Sequence, residues 1–171
     1  MGILVCGLNG SGKSTLGRAL AAALRLRFLD SEDLYFPDGR FDAPRTREEF
    51  LAALDAATRE GDFVFASVKG NGAQALHERI SLAIWVDAPR ETRLQRVRER
   101  SFRRFGERML PGGDLYAAEE QFFAQVASRS DEEMRAWAAQ LPWPVLRVDG
   151  TRPVEALVPE VCSWISETTG L

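Results

Sequence analysis

Eight residues near the start of the chain, Gly7-Leu8-Asn9-Gly10-Ser11-Gly12-Lys13-Ser14, follow the pattern G-x-x-x-x-G-K-[ST]. Ahead of them runs Ile3-Leu4-Val5-Cys6, an apolar, partly β-branched stretch of the kind that forms a buried strand. Behind them Leu16, Ala19, Leu20, Ala23 and Leu24 recur at helical spacing. A strand that enters a glycine loop and leaves as a helix is the context that gives this pattern its meaning, a phosphate-binding P-loop. Glycines let the backbone curl so that successive N–H groups converge on an anion. The helix adds the positive end of its dipole and its unpaired first-turn donors. In this reading Asn9, Gly10, Ser11, Gly12 and Thr15 belong to the ATP-binding loop, Lys13 bridges the β- and γ-phosphates, and the Ser14 hydroxyl ligates Mg²⁺. The competing reading is a glycine-rich strand-to-helix turn that binds nothing.

The rest of the chain alternates strand and helix patterns. Leu26–Asp30, Phe63–Val68, Leu82–Val86 and Val145–Val148 read as further strands. Residues 36 to 45, with two prolines and a glycine, read as loop. Thr46-Arg47-Glu48-Glu49 then forms a capping box ahead of a helix with Phe50, Leu51, Leu54 and Ala57 on one face. A long helix is expected from about Asp114 to Gln140, and a closing one carries Val154, Leu157, Val161 and Ile165, with Pro159 predicting a kink or a late start. The expected fold is α/β: a three-layer, five-stranded parallel sheet flanked by helices, joined by right-handed crossovers in one domain over residues 1–171. With 45% hydrophobic and 27% charged residues and a mean hydropathy of -0.21, the composition is that of an ordinary globular domain. No apolar run approaches the roughly 20 residues of a membrane span. Met1-Gly2-Ile3 leads into the first strand without a basic leader, so the cytoplasm is the expected location. Cys6 and Cys162 fall in apolar patterns and read as small buried hydrophobes; His77 has no metal-binding partners in sequence.

Charge is distributed unevenly. Eight arginines stand between Arg90 and Arg108 against three glutamates, a local +5 within a chain of net -3. That segment reads as a solvated helix face, as a nucleic-acid patch, or as a lid at about 98–115 that brings guanidinium groups onto a transferring phosphoryl group. The acidic remainder disfavours nucleic acid. Asp30, Glu32 and Asp33 lie at the carboxyl end of the second strand, where ligands bind in open α/β sheets. They serve either Mg²⁺ and an acceptor hydroxyl or the cap of a helix. Lys69, one of two lysines against twenty arginines, ends the third strand. Arg129 falls at helical spacing after Phe122 and Val126, snorkelling at the core edge or reaching the phosphates.

The run from Gly10-Ser11-Gly12-Lys13-Ser14-Thr15-Leu16-Gly17-Arg18 through Phe28-Leu29-Asp30-Ser31-Glu32 resembles the P-loop small-molecule kinases of the shikimate and gluconate kinase type, cousins of adenylate kinase. The resemblance implies a kinase that uses ATP and Mg²⁺, with a substrate-binding helical region at about 31–60. It implies Asp30 as a Mg²⁺ ligand with Ser14, Glu32 as acceptor contact and base (Asp33 the substitute), and Arg45 as a substrate-binding residue. It further implies Arg96 as the adenine-stacking arginine, Arg108 as the lid arginine, Arg129 as a substrate or phosphate arginine, and Asp149-Gly150-Thr151 as the turn along the adenine edge. Val68-Lys69-Gly70 stands where shikimate kinases carry three glycines, which suggests an anionic acceptor of a different kind read by Lys69. The expected activity is transfer of the γ-phosphoryl group to a hydroxyl of a small polar molecule by a monomer or weak homodimer. A nucleoside or nucleotide kinase, or an ATP-binding regulatory module with slow hydrolysis, are the alternatives.

Overall fold

The structure, a computed structural model, describes residues 1–37 and 43–170. The middle of the loop expected at 36–45 therefore lies outside the described residues. Five strands form one parallel sheet: β1 (Gly2–Cys6), β2 (Arg27–Asp30), β3 (Phe63–Ser67), β4 (Ile80–Asp87) and β5 (Val145–Asp149), in the order β2-β3-β1-β4-β5. Around it stand α1 (Lys13–Leu24), α2 (Ser31–Tyr35), α3 (Arg47–Thr58), α4 (Arg90–Phe105), α5 (Tyr116–Ala127), α6 (Asp131–Ala138) and α7 (Val154–Thr169).

The strands at the centre are apolar on both faces, as a sheet covered by helices on both sides requires. Alternate residues part to opposite faces. Leu4, Cys6, Phe63, Phe65, Ala83 and Trp85 meet Phe50 and Leu54 of α3 and Met134 and Ala138 of α6. Ile3, Val5, Val64, Leu82, Ile84 and Val86 meet Leu16 and Leu20 of α1 and Leu157, Val161 and Ile165 of α7. The three layers expected from the sequence are these. A third, smaller cluster of Val97, Met109, Phe123 and Val126 joins α4 to α5 away from both cores. Among the described residues no helix is long and apolar enough to cross a membrane.

The capping box of α3 is formed as expected, with the Glu49 amide donating to Thr46 Oγ1 and the Thr46 amide to Glu49 Oε2. One expectation about helices fails. The helix expected over 114–140 is divided into α5 and α6, because the Ser130 side chain accepts from the Glu133 amide and starts a new helix there. Ser130-x-x-Glu133 is itself a start signal. The closing helix does not start late: α7 begins at Val154 and continues through Pro159, which sits on its exposed face while Leu157, Val161 and Ile165 hold the helix to the sheet.

Candidate active site

β1 ends between Ser67 of β3 and Trp85 of β4, so the glycine loop emerges at the middle of the sheet's carboxyl edge. The chain leaves β1 toward the β2 side and leaves β3 toward the β4 side, which makes this edge the switch point where open α/β sheets bind ligands. Gly10 and Gly12 take φ values of 80° and 101°, the left-handed region that glycine alone enters without strain. α1 has Gly12 as its N-cap and no side-chain cap, leaving its first-turn donors to an anion. Asn9 Oδ1 and Ser11 Oγ in the loop are buried without a hydrogen-bond partner among the described residues.

Lys13 is 8% exposed, and it makes no hydrogen bond or ion pair among the described residues. Burial pushes its pKa down; Asp30 and Glu32 pull it back up, and Arg100 and Arg129 press it down again. A buried, unpaired ammonium is costly in the empty protein, and an arriving phosphate relieves that cost.

Asp30 is buried, and its Oδ1 accepts from the Glu32 amide at 3.0 Å, capping α2. The two readings of these acids are thus not exclusive. Glu32 is half-buried and bears on Lys13, whereas Asp33 is exposed.

Two adjoining clefts flank the loop. One, of about 290 Å³, is lined by Lys13, Ser14, Thr15, Arg96, Arg100 and Arg103. The other, of about 360 Å³, is lined by Ser11, Thr15, Val86, Arg96, Gly150 and Leu157 among others. Arg96 divides them: its Nη1 donates to Gly150 O at 2.8 Å and lies 3.4 Å from the carbonyl oxygens of Gly10 and Ser11. Gly150 is wedged in place, since a Cβ there would lie 2.3 Å from Ser11 O. A larger cleft of about 520 Å³ opens between the ends of β4 and β5 and α6, but the Asp87–Arg147 pair occupies its wall and no P-loop residue lines it.

Arg100 was not singled out by the sequence. The signal was available, because Arg96, Arg100 and Arg103 stand at i, i+4 and i+7 on one face of α4. Arg108, expected as the lid arginine, does not line either cleft beside the loop. Its guanidinium forks onto Asp114, Nε–Oδ1 2.9 Å and Nη2–Oδ2 2.6 Å, from the 3₁₀ turn (Gly106–Met109) that follows the end of α4 at Phe105.

Arg45, expected to bind an acceptor, is tied to α2, donating from Nη1 to Leu34 O at 2.5 Å and from its amide to Tyr35 O at 2.8 Å. Lys69 takes a left-handed backbone, φ 45° and ψ 33°, and pairs with Glu133 Oε2 at 2.9 Å. Arg129 stands in the connection between α5 and α6 rather than on a helix stripe, with its Nε buried and unpartnered. Among the described residues no group of three or more His, Cys, Asp or Glu side chains is gathered to hold a metal.

Comparison with known proteins agrees with this geometry. Residues 3–108 match the family described as AAA domain. The uncharacterized protein YqaC of Bacillus subtilis (strain 168) is 30% identical over 96% of this chain and 97% of its own. A shikimate kinase of Symbiobacterium thermophilum is 32% identical over 74% of this chain and 83% of its own. The crystal structure of shikimate kinase from Aquifex aeolicus vf5 superposes with a TM-score of 0.61 at 20% identity, covering 99% of this chain and 98% of that one, and so shares the fold. The chain therefore belongs to the AAA-domain family of P-loop proteins and, within it, to the small-molecule kinases of the shikimate kinase type.

Proposed function

We propose that this protein transfers the γ-phosphoryl group of ATP to a hydroxyl of a small polar molecule. The observation that carries the reading is Lys13, a buried ammonium without a partner, set between the uncapped start of α1 and the carboxylates of Asp30 and Glu32. The loop amides and Lys13 bind the phosphates, and Arg96 with the Gly150 turn receives the nucleoside. Ser14 and Asp30 are the donors for Mg²⁺. That small set suits an ion which takes one or two protein oxygens and draws the rest from water and phosphate. When bound, Mg²⁺ spreads the charge of the β- and γ-phosphate oxygens.

Glu32 stands nearer Lys13 in effect than Asp33 does and is the group that takes the proton of the acceptor hydroxyl. Arg100 and Arg103 from α4, with Arg129, whose charge bears on Lys13, neutralise charge on the transferring group. Arg45 and Lys69 are the residues given to the acceptor, and the segment at about 98–115, whose Met109 packs with Val97, Phe123 and Val126, serves as the lid.

The test is ADP release from Mg-ATP across sugar acids, polyols, nucleosides and nucleoside monophosphates. A large acceptor-dependent rise is expected with one compound class, and Glu32→Gln should remove that rise while leaving ATP binding intact. A nucleoside or nucleotide as the sole active compound would move the protein to the nucleotide kinases. The same slow background with every compound would favour an ATP-binding regulatory module instead.

A further inference from the structure

Arg93 is the largest fully buried side chain among the described residues, 1% exposed, yet it lines neither of the clefts beside the loop. It stands in the first turn of α4 between two systems. Its backbone packs on the loop, so closely that a Cβ on Gly10 would lie 2.3 Å from Arg93 O. Its side chain runs the other way: Nε donates to Ala88 O at 3.0 Å, and Nη2 meets Asp131 Oδ1 at 2.5 Å, while Nη1 is buried without a partner. Asp131 is the first residue of α6. Two residues before it is Arg129, and two after it is Glu133, which holds Lys69.

A buried guanidinium is not the stable choice at such a position. An apolar side chain of similar volume commonly serves stability as well or better, because desolvation of the ions offsets their attraction. What arginine supplies is direction, a fork that accepts one placement of its carboxylate partner. Here the carboxylate partner is the first residue of α6, and the backbone of Arg93 packs on the P-loop.

We propose that Arg93 is a positioning residue which, through Asp131, sets Arg129 against the phosphates. This rests on the phosphoryl-transfer reading for the role of Arg129, but the placement itself is tested without it.

The experiment compares Arg93→Met, Asp131→Asn, Arg129→Met and the double variant Arg93→Met/Arg129→Met. Two readouts are taken: amide hydrogen exchange, and the affinity of Mg-ADP with and without aluminium fluoride, a mimic of the transferring group that needs no acceptor. Arg93→Met and Asp131→Asn are expected to speed exchange at residues 128–134 while β1 and β3 stay protected. Mg-ADP affinity should stay within about twofold and the fluoride complex weaken about tenfold, since only the transition-state charge loses its partner. The double variant should bind the fluoride complex no worse than Arg129→Met alone, because both act through one group. Wild-type protection at 128–134 in both Arg93→Met and Asp131→Asn would overturn the proposal. Additive losses in the double variant would overturn it too. If 128–134 loosens but Arg129→Met itself leaves the fluoride complex unaffected, the role given to Arg129 in phosphoryl transfer is what fails.

Discussion

A methyl group at Gly10 meets two obstacles at once, the carbonyl of Arg93 at 2.3 Å and a φ of 80° that costs an L side chain about 1–2 kcal/mol. Gly10→Ala is therefore expected to weaken Mg-ADP about tenfold by calorimetry, a factor that corresponds to about 1.4 kcal/mol and so lies within that range. Gly106→Ala serves as the control, since a Cβ there meets nothing within 4 Å although φ is 57°. Lys13 makes the opposite prediction for stability. Because burial already holds its pKa down, Lys13→Met should leave the thermal midpoint of the empty protein equal or higher while abolishing Mg-ATP turnover and the midpoint shift caused by ADP. A lower midpoint would mean that Lys13 has a structural partner. Cys6 belongs to the same scale: burial pushes its thiol up to about 12. It should resist alkylation at about pH 8 in the native state and label only on unfolding, because the thiolate is the reactive form.

Among the elements, α6 is the one whose boundary matters most, because its start places Arg129, Asp131 and Glu133 together. Ser130→Ala removes the cap and is expected to cost about 1 kcal/mol in urea unfolding. Rescue by Ser130→Asp would confirm that the cap, not the hydroxyl's other contacts, is responsible. The capping box at Thr46 and Glu49 was legible because both partners lie within one turn. Ser130-x-x-Glu133 has the same form, yet it stands inside an unbroken helical pattern and was hidden by it. The pairing of Arg108 with Asp114 was not legible, because the chain between them passes through the turn that Gly106 starts, φ 57° and ψ -137°.

For the whole molecule, the two cores on either side of one sheet make stability depend on central residues such as Leu4, which is fully buried. Leu4→Ala should cost roughly 2–5 kcal/mol and unfold both layers together. Its pH dependence follows from exposed carboxylates. Arg59 and Arg79 lower Asp55, Arg108 lowers Asp114, and Thr151 lowers Asp149. The unfolded chain therefore binds more protons across the acid range, and stability rises with pH. The contribution is complete above the ordinary carboxylate range of about 4 and is lost as pH falls through the depressed folded values. Asp55→Asn should flatten the acid limb of a plot of thermal midpoint against pH, as should about 0.5 M salt, which screens exposed pairs. An unchanged limb in both would place the acid sensitivity elsewhere.

The sequence by itself determined the P-loop, the strand–helix alternation and the caps within one turn, because each is set by neighbours a few residues apart. It also brought Asp30 and Glu32 to the same edge as Lys13, since strand ends in a parallel sheet share one edge. Only the tertiary structure decided which arginines line the cleft beside the loop, that Lys69 is paired with Glu133, and that Arg93 is buried against Asp131. Those outcomes join residues 64 and 38 positions apart. A charged side chain carries no mark in sequence of which distant partner will satisfy it; the packing of the layers makes that choice.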